Sequence, residues 1–382
     1  MSAQRPATPA ESPAPARRLK VAHLHSSLGV YGAERWTLAL LAHLDADAVA
    51  ATVVSIGTKP GADLFYQLLH EQGRSAHHLR IGGRLSGRAV LELRRFLVRE
   101  GVDVLHTHGF KADVLGYVAT VGTRVRLVST LHGWSADEGR RIQAYEALSR
   151  VFLRRFDRVF PVSPALLQQA EEQGFDRRRL HLVLNAVDLD GLEFAFTPRR
   201  AEEPFTILFA GRLCRPKGVF DLVQAVARAR FTGPMRLVVV GDGEDRAALA
   251  QLAGRLGIGS VVTFAGAVPS IVPHLAVSHA LVLPSYSEGI PRVVMEAFAV
   301  GVPVVGTNIS GIRELVRHEH TGLLVPVGAP EALARACERL CAAPELGQRM
   351  AREARRVVVE RHSARRMAED LQREYRELCS TD

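Results

Sequence analysis

The chain has 382 residues, 47% hydrophobic and 23% charged, and its 32 glycines follow no repeat, which excludes a disordered or fibrous chain and favours two domains. No apolar run approaches the roughly 20 residues that span a bilayer, and four cysteines without a C-x-x-C fit a reducing cytoplasm. Basic residues exceed acidic ones by +9, of which residues 1–200 carry 27 − 20 = +7, yet no aromatic-interleaved basic motif supports nucleic-acid binding.

Residues 1–18, rich in Pro, Ala and Arg, read as a disordered leader. Order begins with a strand over Leu19–Leu24, a glycine-containing turn through Gly29 and Gly32, and a helix to His43. A strand at Ala51–Ile56 follows, then helices near Asp63–Gln72 and Ser86–Glu100. Val102–His106, Val125–Leu131 and Arg158–Val162 are further apolar strands. Strands alternating with helices imply a parallel sheet with crossover helices. The stretch Glu138–Val159 sets Ile142, Tyr145, Leu148, Phe152 and Phe156 among arginines, as in a basic amphipathic helix. Its apolar face would pack on the first domain, and its arginines would suit an anionic membrane surface.

A polar, Pro-bounded connector, 194–204, separates this half (19–193) from a second (205–362) in which the alternation restarts. Thr206–Ala210, Arg236–Val240, Val261–Phe264, Ala280–Leu283 and Val304–Gly306 read as strands, and Val219–Arg230 as a helix. The expected architecture is therefore α/β, two doubly wound halves with ligand in the cleft between strand C-termini.

Two constellations carry chemistry. In Gly211-Arg212-Leu213-Cys214-Arg215-Pro216-Lys217-Gly218, two cations sit at a strand end, which suits a diphosphate or, blandly, a solvated loop. In the segment from Ser285 to Ala297, Glu288 precedes a helix start at Pro291 and Glu296 lies inside the helix. The two carboxylates would meet different parts of one ligand, since carboxylates accept hydrogen bonds from vicinal hydroxyls. More simply, they would be an acid favouring the helix dipole and an exposed helical Glu, the reading that spacing alone favours.

Together, Gly211-Arg212-Leu213, Lys217-Gly218 and Glu288-x7-Glu296 resemble the retaining glycosyltransferases of family 4, which have the GT-B fold of two Rossmann-like domains facing each other across a cleft. Asn185-Ala186-Val187-Asp188, Val239-Val240-Gly241-Asp242-Gly243, Ser310-Gly311-Ile312-Arg313-Glu314 and Thr321-Gly322-Leu323-Leu324-Val325 match as well. The resemblance implies an acceptor-binding N-terminal domain, a nucleotide-sugar-binding C-terminal domain, and a last helix, about 363–382, packing back on the first. It implies that Arg212 and Lys217 hold the donor diphosphate, Glu296 the ribose and Glu288 the transferred sugar. His132 would stand beside that sugar, Gly32 would let backbone approach the phosphates, and the backbone around Val268 would touch the base. No metal or other cofactor is expected. The implied partners are a nucleotide-sugar donor (UDP- or GDP-linked) and a saccharide or lipid-linked acceptor, in cell-surface polysaccharide or glycolipid synthesis at the inner face of the membrane. One departure is Tyr31, where the family often has a second glycine; another is His362, where an aromatic is common.

Other patterns in the chain compete with this one. Asp188-x-Asp190 is formally the D-x-D of metal-dependent transferases, but its first Asp belongs to the Asn-Ala-Val-Asp segment. His23-x-His25 and His106-x-His108 put imidazoles on one strand face and, with His132, could form a metal site or a polar cleft lining. Gly241-x-Gly243 lacks the third glycine of a dinucleotide fingerprint. The rivals to transfer are a sugar-nucleotide epimerase or hydrolase on the same fold and a non-catalytic nucleotide-sugar binder.

Overall fold

The computed structural model describes residues 17–26, 29–30, 32–57, 61, 63–80, 87–133, 140–196 and 202–380, without the side chains of 140–146. Most of the leader and Tyr31 therefore lie outside the described residues. In the first half, β1 (Leu19–His25), β2 (Val49–Gly57), β3 (Ala76–Arg80), β4 (Val104–His108), β5 (Arg126–Leu131) and β6 (Arg158–Pro161) form one parallel sheet, ordered β3-β2-β1-β4-β5-β6. In the second, β7 (Phe205–Ala210), β8 (Met235–Val240), β9 (Val262–Gly266), β10 (Ala280–Leu283), β11 (Val304–Thr307) and β12 (Leu323–Val325) run β12-β11-β10-β7-β8-β9. These are two Rossmann-like domains. The strand order reverses between β1 and β4 and between β7 and β10, and at such a switch point a crevice opens at the carboxyl ends.

The sequence explains the strands locally. All six residues of β7, Phe-Thr-Ile-Leu-Phe-Ala, are buried, as expected where helices cover both faces of a parallel sheet. Two short strands had no period to announce them: β3 is Ala-His-His-Leu-Arg at a sheet edge, and β12 has only three residues.

Of the helices, α1 (Gly32–His43), α2 (Leu64–Glu71), α3 (Gly87–Glu100), α4 (Phe110–Thr120), α5 (Arg140–Leu153) and α6 (Pro164–Glu172) belong to the first sheet. The second carries α7 (Val219–Arg228), α8 (Arg246–Arg255), α9 (Val272–Ala276), α10 (Arg292–Val300), α11 (Ser310–Arg313), α12 (Pro330–Ala342) and α13 (Pro344–Arg361). The last helix, α14 (Ala364–Ser380), crosses back: its Met367, Leu371 and Tyr375 share a core with Trp36 and Leu40 of α1. At the crossing, His362 Nδ1 lies 2.8 Å from the Asn185 carbonyl, so the imidazole ties the start of the returning helix to the segment that closes the first domain.

The amphipathic-helix reading of 138–159 holds in part: Phe152 and Phe156 pack in the first-domain core, while the side chains of Ile142 and Tyr145 lie outside the described residues. Helix α5 ends at Leu153, and Arg158 opens β6. Leu148 and Val151 are exposed at 42% and 48%, whereas Ser149 is buried, its hydroxyl donating to Asp113 Oδ2 at 2.8 Å. A hydrogen bond to a buried carboxylate turned the helix by about one residue from the orientation its apolar pattern predicts. No helix among the described residues is long and apolar enough to cross a membrane.

Candidate active site

The loops after β7 and β10 flank the second switch point. After β7, Arg215–Lys217 make one 3-10 turn that ends at Gly218, whose φ of 65° is left-handed. A Cβ there would lie 2.0 Å from the Pro284 carbonyl oxygen, so only glycine lets this loop lie against the one after β10. The close approach brings Lys217 Nζ to 2.7 Å from both carboxylate oxygens of Glu288, and Ser285 Oγ donates to Oε1 at 2.7 Å. On the far side, a Cβ on Gly311 would lie 1.7 Å from the Gly289 carbonyl oxygen, so α11 clamps the same loop.

Glu296 sits one turn into α10 and pairs with Arg292 at 3.4 Å, an i,i+4 spacing readable on the helix. Burial lowers the pKa of the Arg292 guanidinium, and its Nε is buried without a partner among the described residues. Its Nη1 donates to the Ala186 carbonyl at 3.2 Å, in the segment that closes the first domain. Arg212 stands apart. It is 70% exposed and pairs with Glu244 at 3.3 Å, so the structure does not bring it to the Lys217–Glu288 pair. Val268 is half-buried against the second core, and Arg35 of α1 donates across the cleft to the adjacent Pro269 carbonyl at 2.9 Å. Gly32 is the first residue of α1, with open space where a side chain would be.

The first half contributes imidazoles. Register pairs His23 with His106 and His25 with His108, so β1 and β4 present four histidines at their carboxyl ends, and His132 follows β5. His23 Nδ1 lies 3.2 Å from His108 Nε2, and His108 Nδ1 lies 3.3 Å from His132 Nε2. His106 is held by Tyr375 Oη at 2.6 Å and Thr130 Oγ1 at 2.7 Å. His25 is held by Thr37 at 2.9 Å and faces Glu34 at 3.5 Å. Desolvation pushes the imidazoles toward the neutral form: His23 and His132 are lowered to about 3, and His106 and His108 well below the ordinary range.

Two groups of side chains among the described residues have metal-ligand spacing. His23, His106 and His108 offer nitrogens within 4.8 Å of one another, but His106 has partners on both nitrogens and His108 bridges two rings. Asp188 and Asp190 form a second group with His43, in which Asp188 Oδ1 already accepts the Asp190 N–H at 3.0 Å and faces His43 Nε2 at 2.9 Å.

Across the cleft, a Cβ on Gly289 would stand 3.6 Å from the His132 carbonyl oxygen, so the loop bearing Glu288 meets the end of β5. Asn185 donates to the Ile290 carbonyl at 3.2 Å, and Glu314 accepts the Ala165 N–H at 3.1 Å. Of the residues singled out from sequence, Lys217 and Glu288 come together, the backbone of His132 meets the same loop at Gly289, and Glu296 lies in the helix that follows. Ser285, Arg292, Arg35, Asn185 and Glu314 were not singled out as site residues. Arg292 had a readable signal in its spacing to Glu296, and Ser285, Asn185 and Glu314 lay in segments already quoted without a role, whereas Arg35 had none.

Comparison with known proteins adds kinship to this geometry. Residues 192–357 match the family described as glycosyl transferases group 1, and residues 30–190 match glycosyltransferase family 4. The chain is 28% identical over 293 residues to the N-acetyl-alpha-D-glucosaminyl L-malate synthase of Bacillus anthracis, covering 74% of this chain and 77% of that one. It is 32% identical over 216 residues to the lipopolysaccharide core biosynthesis glycosyltransferase LpsE of Rhizobium meliloti, covering 54% and 61%. Among solved structures, Anabaena HepE in complex with UDP superposes with a TM-score of 0.81 at 21% identity, over 94% of this chain and 100% of that one.

Proposed function

Because the chain belongs to the group 1, family 4 glycosyltransferases, we propose that it transfers a sugar from a nucleoside diphosphate to an acceptor hydroxyl with retention of configuration. The observation that carries this is the Lys217–Glu288–Ser285 cluster at the second switch point, on a loop whose Gly289 approaches the His132 backbone across the cleft.

In this reading Lys217 exchanges Glu288 for the donor diphosphate, and Arg212 swings in from Glu244 to share the charge. Fixed cations where negative charge develops lower the barrier to departure of the diphosphate. The bond from the anomeric carbon to the diphosphate oxygen breaks, the acceptor oxygen bonds to that carbon on the same face, and the acceptor proton passes to the diphosphate. Glu288, released from Lys217, accepts hydroxyls of the transferred sugar. Glu296 accepts the ribose hydroxyls, backbone at Val268 meets the base, and Gly32 leaves room for the phosphates at the start of α1.

No step requires a metal ion or other cofactor. The donor is a UDP- or GDP-linked sugar, and LpsE supports a saccharide or lipid-linked acceptor in cell-surface assembly. Leu148 and Val151, exposed on α5 beside Arg150, support contact with an anionic membrane surface on the cytoplasmic side. Flotation with anionic but not neutral vesicles tests that contact.

The reading itself is tested by incubating a panel of nucleotide sugars with candidate acceptors and determining the anomer by NMR. Inverted product would overturn retention. Turnover of donor that never requires an acceptor would favour the epimerase or hydrolase reading.

A further inference from the structure

Five histidines converge at the carboxyl ends of β1, β4 and β5, and only His132 has a role so far. Three of them form a file: His23 Nδ1 to His108 Nε2 at 3.2 Å, then His108 Nδ1 to His132 Nε2 at 3.3 Å. A neutral imidazole carries one N–H and one lone pair, so such a file has a direction. If His132 donated from Nε2, His108 would donate from its own Nε2, and His23 would carry its hydrogen on Nε2. That atom is buried and has no partner among the described residues. Buried orphan N–H donors are rarer than under-satisfied acceptors, because a stranded donor loses its whole hydration. The opposite direction strands only a lone pair.

We propose that His23 and His108 are positioning residues: they form a one-way imidazole chain that holds His132 as its Nδ1–H tautomer. Nε2 of His132 then accepts from His108, and Nδ1 carries the hydrogen as a donor for a sugar hydroxyl. The chain is built to keep its geometry. The His25 ring stacks on His108 at 4.3 Å and 11°, and His25 is itself tied to Thr37. His106 also stacks on His108, at 4.5 Å and 23°, held by Thr130 and by Tyr375 from α14. Trp36 meets His132 edge-on at 5.5 Å. Burial keeps every ring neutral, the condition for a single direction. The catalytic consequence rests on the function proposed above, whereas the tautomer does not.

The test is long-range 15N–1H NMR on protein labelled at histidine, with the His132 signals assigned by their loss in His132→Gln. The wild type should show His132 protonated at Nδ1. In His108→Leu the donor is gone, and His132 should shift toward the Nε2–H form that imidazole prefers in water. With it, kcat should fall roughly tenfold while the donor KM changes less than about twofold. His108→Gln, whose amide can donate in place of Nδ1, should restore the Nδ1–H form and most of the rate.

Nε2–H in the wild type overturns the proposal, as does an unchanged tautomer in folded His108→Leu. So does a stoichiometric metal ion in the purified protein whose removal changes the His23 and His108 signals. If His108→Leu does not fold, the wild-type spectrum still decides. If no sugar is transferred yet the tautomers behave as stated, the chain stands and the proposed function falls.

Discussion

Lowering the pH from 7.5 to 5.0 should destabilise the first domain through its histidines. In the unfolded chain a histidine titrates near 6.5, whereas His23 in the fold is lowered to about 3. Between those values the unfolded state binds a proton that the folded state refuses. The stabilisation is therefore complete above about 6.5 and is lost as pH falls. At about 1.4 kcal/mol per pH unit, the 1.5 units from 6.5 to 5.0 amount to about 2 kcal/mol for His23 alone. His25, His106, His108 and the mostly buried His132 are shifted in the same direction. Asp113 opposes them: buried among Thr107, Ser129 and Ser149, its carboxyl is raised to about 6. The fold therefore gains about 1.4 kcal/mol from its protonation by pH 5. The histidines outweigh it. Both tryptophans, Trp36 and Trp134, lie in the first half of the chain, so urea unfolding followed by tryptophan fluorescence reports that half. The midpoint should fall steadily from pH 6.5 to 5.0. A midpoint that is flat or rising over that interval would refute the account of the buried cluster.

Lys217→Ala and Arg212→Ala should each lower turnover about 10²-fold in folded protein, since both are assigned to the leaving diphosphate; near-normal rates for both would remove that assignment. Glu296→Ala should weaken binding of the nucleoside diphosphate about tenfold or more by calorimetry. Glu288→Ala frees Lys217, so nucleoside diphosphate binding should hold or tighten while transfer slows; equal weakening by the two variants would sink the division of labour. Excess EDTA should leave activity intact, and loss of activity restored by Mg²⁺ or Mn²⁺ would turn attention to Asp188, Asp190 and His43. Gly311→Ala should lose transfer activity and melt lower, because its Cβ would press on the Gly289 carbonyl; wild-type melting and rate would mean that the loop yields freely.

Much of this protein is written locally. Apolar runs such as Phe205–Ala210, alternating with helical stretches, mark parallel strands, and that alternation puts Gly211-Arg212…Lys217 and Glu288-x7-Glu296 just past strand ends. Residue type and spacing made both constellations candidates, and the resemblance of six ordered motifs to family 4 carried the choice between ligand site and solvated surface. Partnership between segments was not written there. The Lys217–Glu288 pair spans 71 positions, and it needs Gly218 and Gly311 to press two loops together. Sequence put the two groups on different parts of a ligand and left their contact unseen. Likewise, His23, His108 and His132 form a chain only because β1 lies beside β4 and β4 beside β5, an order that no periodicity encodes. Helix α14 returns across the chain to set Tyr375 on His106, 269 positions away. Ser149, placed by its bond to Asp113, decided which face of α5 is buried. Spacing along a chain specifies what each element is and which groups stand at its end, whereas strand order and close backbone approach decide which of those groups touch.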